Sequence, residues 1–103
     1  MAYGFEAGKN TVPVQEQHVT RRKYLSHLDW SATPNADGYY YQTVSIPGVT
    51  SDNTVFVSSD TETMKQYNEA GVFAFSQGDG TLTFYCKSKP SLFLGVNVVI
   101  LGV

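Results

Sequence analysis

Few residues in this 103-residue chain could carry chemistry. His18 and His27, with Asp29 close to the second, are the first place to look for a metal or an acid–base pair. A zinc site needs three or four converging ligands. No compact spacing supplies them, so these three read as exposed polar residues. The single thiol, Cys86, stands in "TLTFYCK" on the phase of Leu82 and Phe84, where an unactivated cysteine packs as a small hydrophobe. Asp37 and Asp79 each precede a glycine, and turn formation accounts for both. No nucleophile–base pair and no pair of acids is legible, so the expectation is a protein that is not an enzyme and binds no metal or cofactor. Arg21–Lys23 is the one basic cluster; three such residues make a weak footprint for an anionic partner, and a solvated strand face is the default. Tyr39 and Tyr41 are more open. They share the outward phase of "YYYQTVSI", and exposed aromatics either stack on sugars, anchor a protein contact or pack across to neighbouring strands.

The elements that must position these residues are mostly short strands. "RRKYLSHLDW" alternates, with Tyr24, Leu28 and Trp30 on one phase and Ser26 interrupting it. "SATPNADG" reads as a loop. In "YYYQTVSI", Tyr40, Val44 and Ile46 fall on one face and Tyr39, Tyr41, Thr43 and Ser45 on the other. Turns at Pro47-Gly48 and Asp52-Asn53 precede a short strand, "TVFVS". A helix is expected over Asp60–Ala70, with Ser59 and Glu62 at capping-box spacing and Gly71 as its left-handed stop. "VFAFS" and "TLTFYCK" flank "QGDG", a strong hairpin-turn signal.

The chain's last stretch, "SLFLGVNVVILGV", is almost wholly apolar. A membrane-crossing helix needs roughly 20 apolar residues, more than this run supplies, and its β-branched content suits a strand. Leu92, Leu94, Val96, Val98 and Ile100 then share one face, Phe93, Gly95, Asn97, Val99 and Leu101 the other. Both faces are largely apolar and both need cover. The first looks into the chain's own core; the second meets either the helix or another subunit. Trp30, Leu82, Phe84, Val96 and Val98 are expected to share one buried cluster.

Aromatic residues make up 14% of the chain and charged residues only 16%, a profile that favours a β-rich globular domain. Its formal charge is −2. Binding to a phosphate backbone draws on clustered Lys and Arg, so neither nucleic acid nor, by the run-length argument, a membrane is an expected partner. One cysteine excludes an internal disulfide and fits folding in a reducing cytoplasm, and no secretion signal is legible at the N-terminus. The expected fold is all-β and mainly antiparallel. It is a β-sandwich or Greek-key barrel of about six to eight strands with one short helix. Residues 1–20 form an extended arm, with an edge strand around Val12–Val14, and residues 21–103 form the sandwich.

Several pieces in order, "LDWS", "YYQTVSIPGVTSDNTVFVS", "YNEAGVFAFSQGDGTLTFYCKSKPS" and "LFLGVNVVIL", resemble a small β-domain of virion structural proteins in tailed phages and prophages of Firmicutes-type hosts. The opening "MAYGFEAGKN" looks like the N-terminal attachment segments of phage fibre and head-fibre proteins. Together these pieces cover most of the chain. The resemblance implies a part of the virion, made in the bacterial host cytoplasm. The absence of a collagen-like or coiled-coil shaft points to a decoration or small fibre-like protein.

The leading expectation is therefore a non-enzymatic capsid decoration or head-fibre-like protein. It docks on the outer head surface through its arm, with Tyr3, Phe5, Val12 and Val14 as contacts. Its acidic balance supports the outward placement, because a shell protein facing packaged DNA would be basic. Its partners are other virion proteins (a major capsid protein, or a tail or baseplate protein) and further copies of itself, a trimer by analogy with phage fibres. Tyr39, Tyr41, Asn97, Val99 and Leu101 are the expected contact residues of the sandwich. The alternative is a receptor-binding module of a tail fibre or baseplate. It would hold a cell-surface glycan through Tyr39, Tyr41 and loop residues such as Asn35 and Asp37.

Overall fold

The computed structural model describes residues 18–102. Among them, in chain order, are β1 (His18–Leu25), β2 (Tyr40–Ser45), β3 (Val55–Ser59), α1 (Met64–Ala70), β4 (Phe73–Gly78), β5 (Thr81–Cys86) and β6 (Leu94–Leu101). The apolar final stretch is the middle strand of one sheet, ordered β1-β6-β3, with both neighbours antiparallel to it. Its alternation decides the layering. Leu94, Val96, Val98 and Ile100 are fully buried, and Leu25 of β1 joins them, with Val55 and Val57 of β3 packed alongside. The second sheet, β2-β5-β4, is likewise antiparallel throughout. There Leu82, Phe84 and Cys86 point inward and are fully or almost fully buried.

The two inner faces meet in one core, completed by Trp30, Ile46, Val49, Ala70 and Val72. The five residues expected to share a buried cluster all lie in it. Burying each large apolar side chain stabilises the fold by about 1.5–3 kcal/mol. Two separate three-stranded sheets make this a mainly antiparallel β-sandwich with one short helix, not a closed barrel. The Asp79-Gly80 hairpin forms where expected: Gly78 pairs with Thr81, and Gly80 has φ 75°.

Four boundaries differ from the sequence expectations. β1 ends at Leu25, and Tyr24, Leu28 and Trp30 do not share a face: Leu28 is 78% exposed whereas Trp30 is buried. The cause is local. The Ser26 hydroxyl accepts from the Leu28 amide and its carbonyl from the Asp29 amide, so the chain turns where Ser26 broke the alternation. At the other end of β1, His18, Val19 and Thr20 pair with Leu101, Ile100 and Val99, which moves them from the expected arm into the sheet. β6 starts at Leu94, two residues beyond Leu92, which is exposed and not on the core face.

The helix is the fourth difference. Ser59 is the last residue of β3, paired with Val96, and the Asp60 amide bonds the Gly95 carbonyl. Backbone held in a sheet cannot start a helix, so the Ser59–Glu62 box does not form. α1 begins at Met64 behind Thr63, which makes no side-chain cap; its hydroxyl accepts from the Gly95 amide instead. The stop at Gly71 is as expected, with φ 66° and ψ 44°. α1 packs Tyr67 and Ala70 against the core cluster. Further along β6, outward-facing Val99 and Leu101 stay half-buried, and Phe56, opposite Val99, is 58% exposed.

Candidate functional site

The outward face of the second sheet carries a cluster of aromatic rings. Alternation along β2 and β5 turns Tyr41, Thr43 and Ser45, and Tyr85, Thr83 and Thr81, away from the core. The register then sorts them into rows. Tyr41 lies opposite Tyr85 and Tyr85 opposite Phe73, while Thr43 lies opposite Thr83 and Thr83 opposite Ser76. The row of rings thus borders a row of hydroxyls, and the Thr43 and Thr83 hydroxyls bond each other at 2.9 Å.

A β-bulge places the remaining ring. The β4–β5 register shifts between Ala74 and Ser76, leaving Phe75 as the extra residue. Phe75 and Ser76 are both exposed, so two consecutive side chains face outward, a re-aiming that bulges commonly produce. Phe75 stacks on Tyr85 with centroids 5.1 Å apart, yet 69% of it remains open to solvent. Phe73 meets Tyr85 and Phe75 edge to face at 5.6 and 6.3 Å.

The loop before β2 fixes the two tyrosines that sequence alternation singled out. The Asn35 side-chain oxygen accepts from the amides of Asp37 and Tyr39, at 2.9 and 3.0 Å. This brings the Tyr39 ring edge-on to Phe73 at 5.2 Å and within 6.0 Å of Tyr85. Ser31 pairs with Tyr41 through its amide and its hydroxyl, and the Tyr41 ring sits 6.4 Å from Tyr85. Tyr39 and Tyr41 therefore do come together. Phe73, Phe75 and Tyr85 are the members that sequence reading missed, although "VFAF" across "QGDG" from "TFY" held the signal.

The other expected contact residues lie elsewhere. Asn97, Val99 and Leu101 are on the outward face of the first sheet, on the opposite side of the sandwich. Asn97 donates to the Asp60 carboxylate at 3.3 Å. The same carboxylate pairs with Arg22, whose guanidinium also lies 5.1 Å over the Tyr24 ring. Tyr3, Phe5, Val12 and Val14 lie outside the described residues. Arg21 and Arg22, from the basic cluster, point to opposite faces of β1; Arg21 reaches the Pro47 carbonyl at 3.2 Å.

His18 opens β1 and His27 follows its end, so the length of the strand, roughly 23 Å, separates them. Among the described residues no three His, Cys, Asp or Glu side chains gather as a metal site would require. Cys86 is fully buried, and burial pushes its thiol up to about 11 despite the opposing charge of Lys89. Such a thiol is a core residue and a poor nucleophile. The arrangement offers contact chemistry: rings, hydroxyls and a rigid support. Comparison with protein-family models, with curated proteins and with solved structures finds no match to this chain.

Proposed function

We propose that this chain is a non-catalytic structural protein of a phage particle. It is held on the outer surface of the head through its N-terminal residues and presents the ring face of its sandwich as a contact surface. One observation carries the contact role: Tyr39, Tyr41, Phe73, Phe75 and Tyr85 form a single aromatic cluster on the outside of a sheet, with Tyr41 and Phe75 exposed and the other three half-buried. An aromatic patch left in water on a small domain marks an interaction surface. The phage setting rests on the resemblance of the quoted sequence pieces. Copies meet through the opposite face, where Phe56, Val99 and Leu101 lie beside one another on β3 and β6.

The test is sedimentation of the purified protein with phage heads emptied of DNA. Stoichiometric co-sedimentation is expected, with loss on deleting residues 1–10 and no loss on Phe75→Ser. Protein that stays in the supernatant at micromolar concentrations overturns the placement on the head.

A further inference from the structure

The two outer faces of the sandwich differ in charge. The first sheet turns Arg22 outward beside Asn97, with Asp60 ion-paired over them. The outward residues of β2, β4 and β5 include no charged side chain; Asp79 and Lys87 stand beyond the strand ends. They include no Leu, Ile, Val, Met or Arg either. Every outward side chain of that sheet is a Phe or Tyr ring or a Ser or Thr hydroxyl.

We infer that this face binds an uncharged, soluble polysaccharide chain. The inference rests on the reading of the ring face as the presented contact surface, and it names the ligand class. A pyranose is itself divided this way: its C–H faces are apolar and lie against aromatic rings, while its rim of hydroxyls needs hydrogen-bond partners. The exposed rings of Tyr41 and Phe75, on either side of half-buried Tyr85, offer the first and the adjoining row Thr43–Thr83–Ser76 the second. Across three strands the ring row spans roughly 10 Å, two strand spacings, about the length of two linked pyranoses.

The chemistry separates this ligand from its rivals. A charged polymer, nucleic acid included, would find no counter-charge on the three strands and only the single flanking Lys87 beyond the end of β5. Protein contacts enrich Arg and Met alongside aromatic residues, and the outward residues of these strands include neither Arg nor Met. The rings meet at mixed angles, edge to face, tilted and stacked, giving a corrugated surface. That fits a single hydrated chain better than the flat face of a crystalline polysaccharide.

Native-gel affinity electrophoresis tests the inference. The gels contain soluble β-glucan, glycol chitin or dextran as neutral probes, and dextran sulfate as the anionic one. At least one neutral polymer is expected to retard the protein while dextran sulfate does not. Phe75→Ser and Tyr41→Ser should each weaken retardation about tenfold, the scale of losing one aromatic contact. Phe56→Ser, on the opposite sheet, should leave it unchanged. Both rings are solvent-exposed, so the variants should fold, which circular dichroism checks.

No retardation by any neutral polymer overturns the inference. If Phe75→Ser then abolishes a concentration-dependent dimer, or binding to a second virion protein, the face is a protein contact and the reading beneath the inference stands. If ring variants alter neither glycan, protein nor self-association, the reading of the face as a contact surface falls as well. Retardation by dextran sulfate equal to that by neutral polymers shows non-specific adhesion and likewise overturns the neutral-glycan assignment.

Discussion

Asp60 and Gly95 fit only because Gly95 has no side chain. The Asp60 amide bonds the Gly95 carbonyl at 2.9 Å, and the Asp60 carboxylate folds back across β6 to receive Arg22 and Asn97. A Cβ on Gly95 would fall inside that carboxylate. Glycine in a strand ordinarily costs stability and often marks such a close approach. Gly95 therefore exchanges strand propensity for a polar tie joining β1, β6 and the segment leading into α1.

Gly95→Ala should destabilise the protein by about 1–3 kcal/mol, the usual cost of forcing extra volume into a packed site. In an Asp60→Ala background only the flexible Arg22 guanidinium, 3.3 Å away, remains beside the new methyl, and the same change should be near neutral. Urea melts of the four proteins measure the difference. Equal costs in both backgrounds would show that Asp60 is not what excludes a side chain there.

Sequence patterning read this fold well wherever a strand kept period two. The buried set of β6, the inward set of β5 and the Asp79-Gly80 turn all follow from alternation and turn chemistry alone. It failed where a tertiary contact overrode a local signal. Ser59 and Glu62 have capping-box spacing, yet β6 recruits Ser59 into the sheet. The ring face was half legible for a similar reason. Tyr39 and Tyr41 sit in one strand's phase, but Phe73 joins them only through the β4–β5 register. Phe75 joins them beside a bulge, and period-two counting does not foresee bulges.

Phe84 anchors the core from the middle of the second sheet and is fully buried. Phe84→Ala should cost about 3–5 kcal/mol, the range for truncating a large aromatic that leaves a cavity. Phe75→Ala, nine positions earlier, is exposed and should cost well under 1 kcal/mol by the same burial argument. Comparable losses for the two in denaturant melts would contradict the assigned faces.

Cys86 should make stability fall in alkali. The folded state holds its thiol proton up to about pH 11, and the unfolded thiol releases it near 9.0. Below pH 9 both states carry the proton and nothing changes. Between about pH 9 and 11 the unfolded state binds fewer protons, so its free energy drops relative to the native state. The loss is at most about 2–3 kcal/mol for two pH units. Tyr67, raised above 10.0 by burial, acts in the same direction at higher pH. Cys86→Ala should flatten the fall from pH 9 upward, and the native thiol should resist aromatic disulfide reagents at pH 8. An unchanged alkaline slope in Cys86→Ala would place the titration elsewhere.

The outward face of the first sheet gives the last prediction. Val99 lies opposite Phe56 on one side and Thr20 on the other. If copies of the chain meet there, the purified protein self-associates, and a trimer is the expected state. Val99→Asp would place an unpaired charge in the contact, where desolvating it is costly. In the separated subunit Val99 is only half-buried, so the same carboxylate keeps water. Assembly should therefore suffer far more than folding. Light scattering should show the wild type as an oligomer and Val99→Asp as a monomer, with closely similar circular dichroism. A wild type that remains monomeric at high concentration refutes self-association through this face.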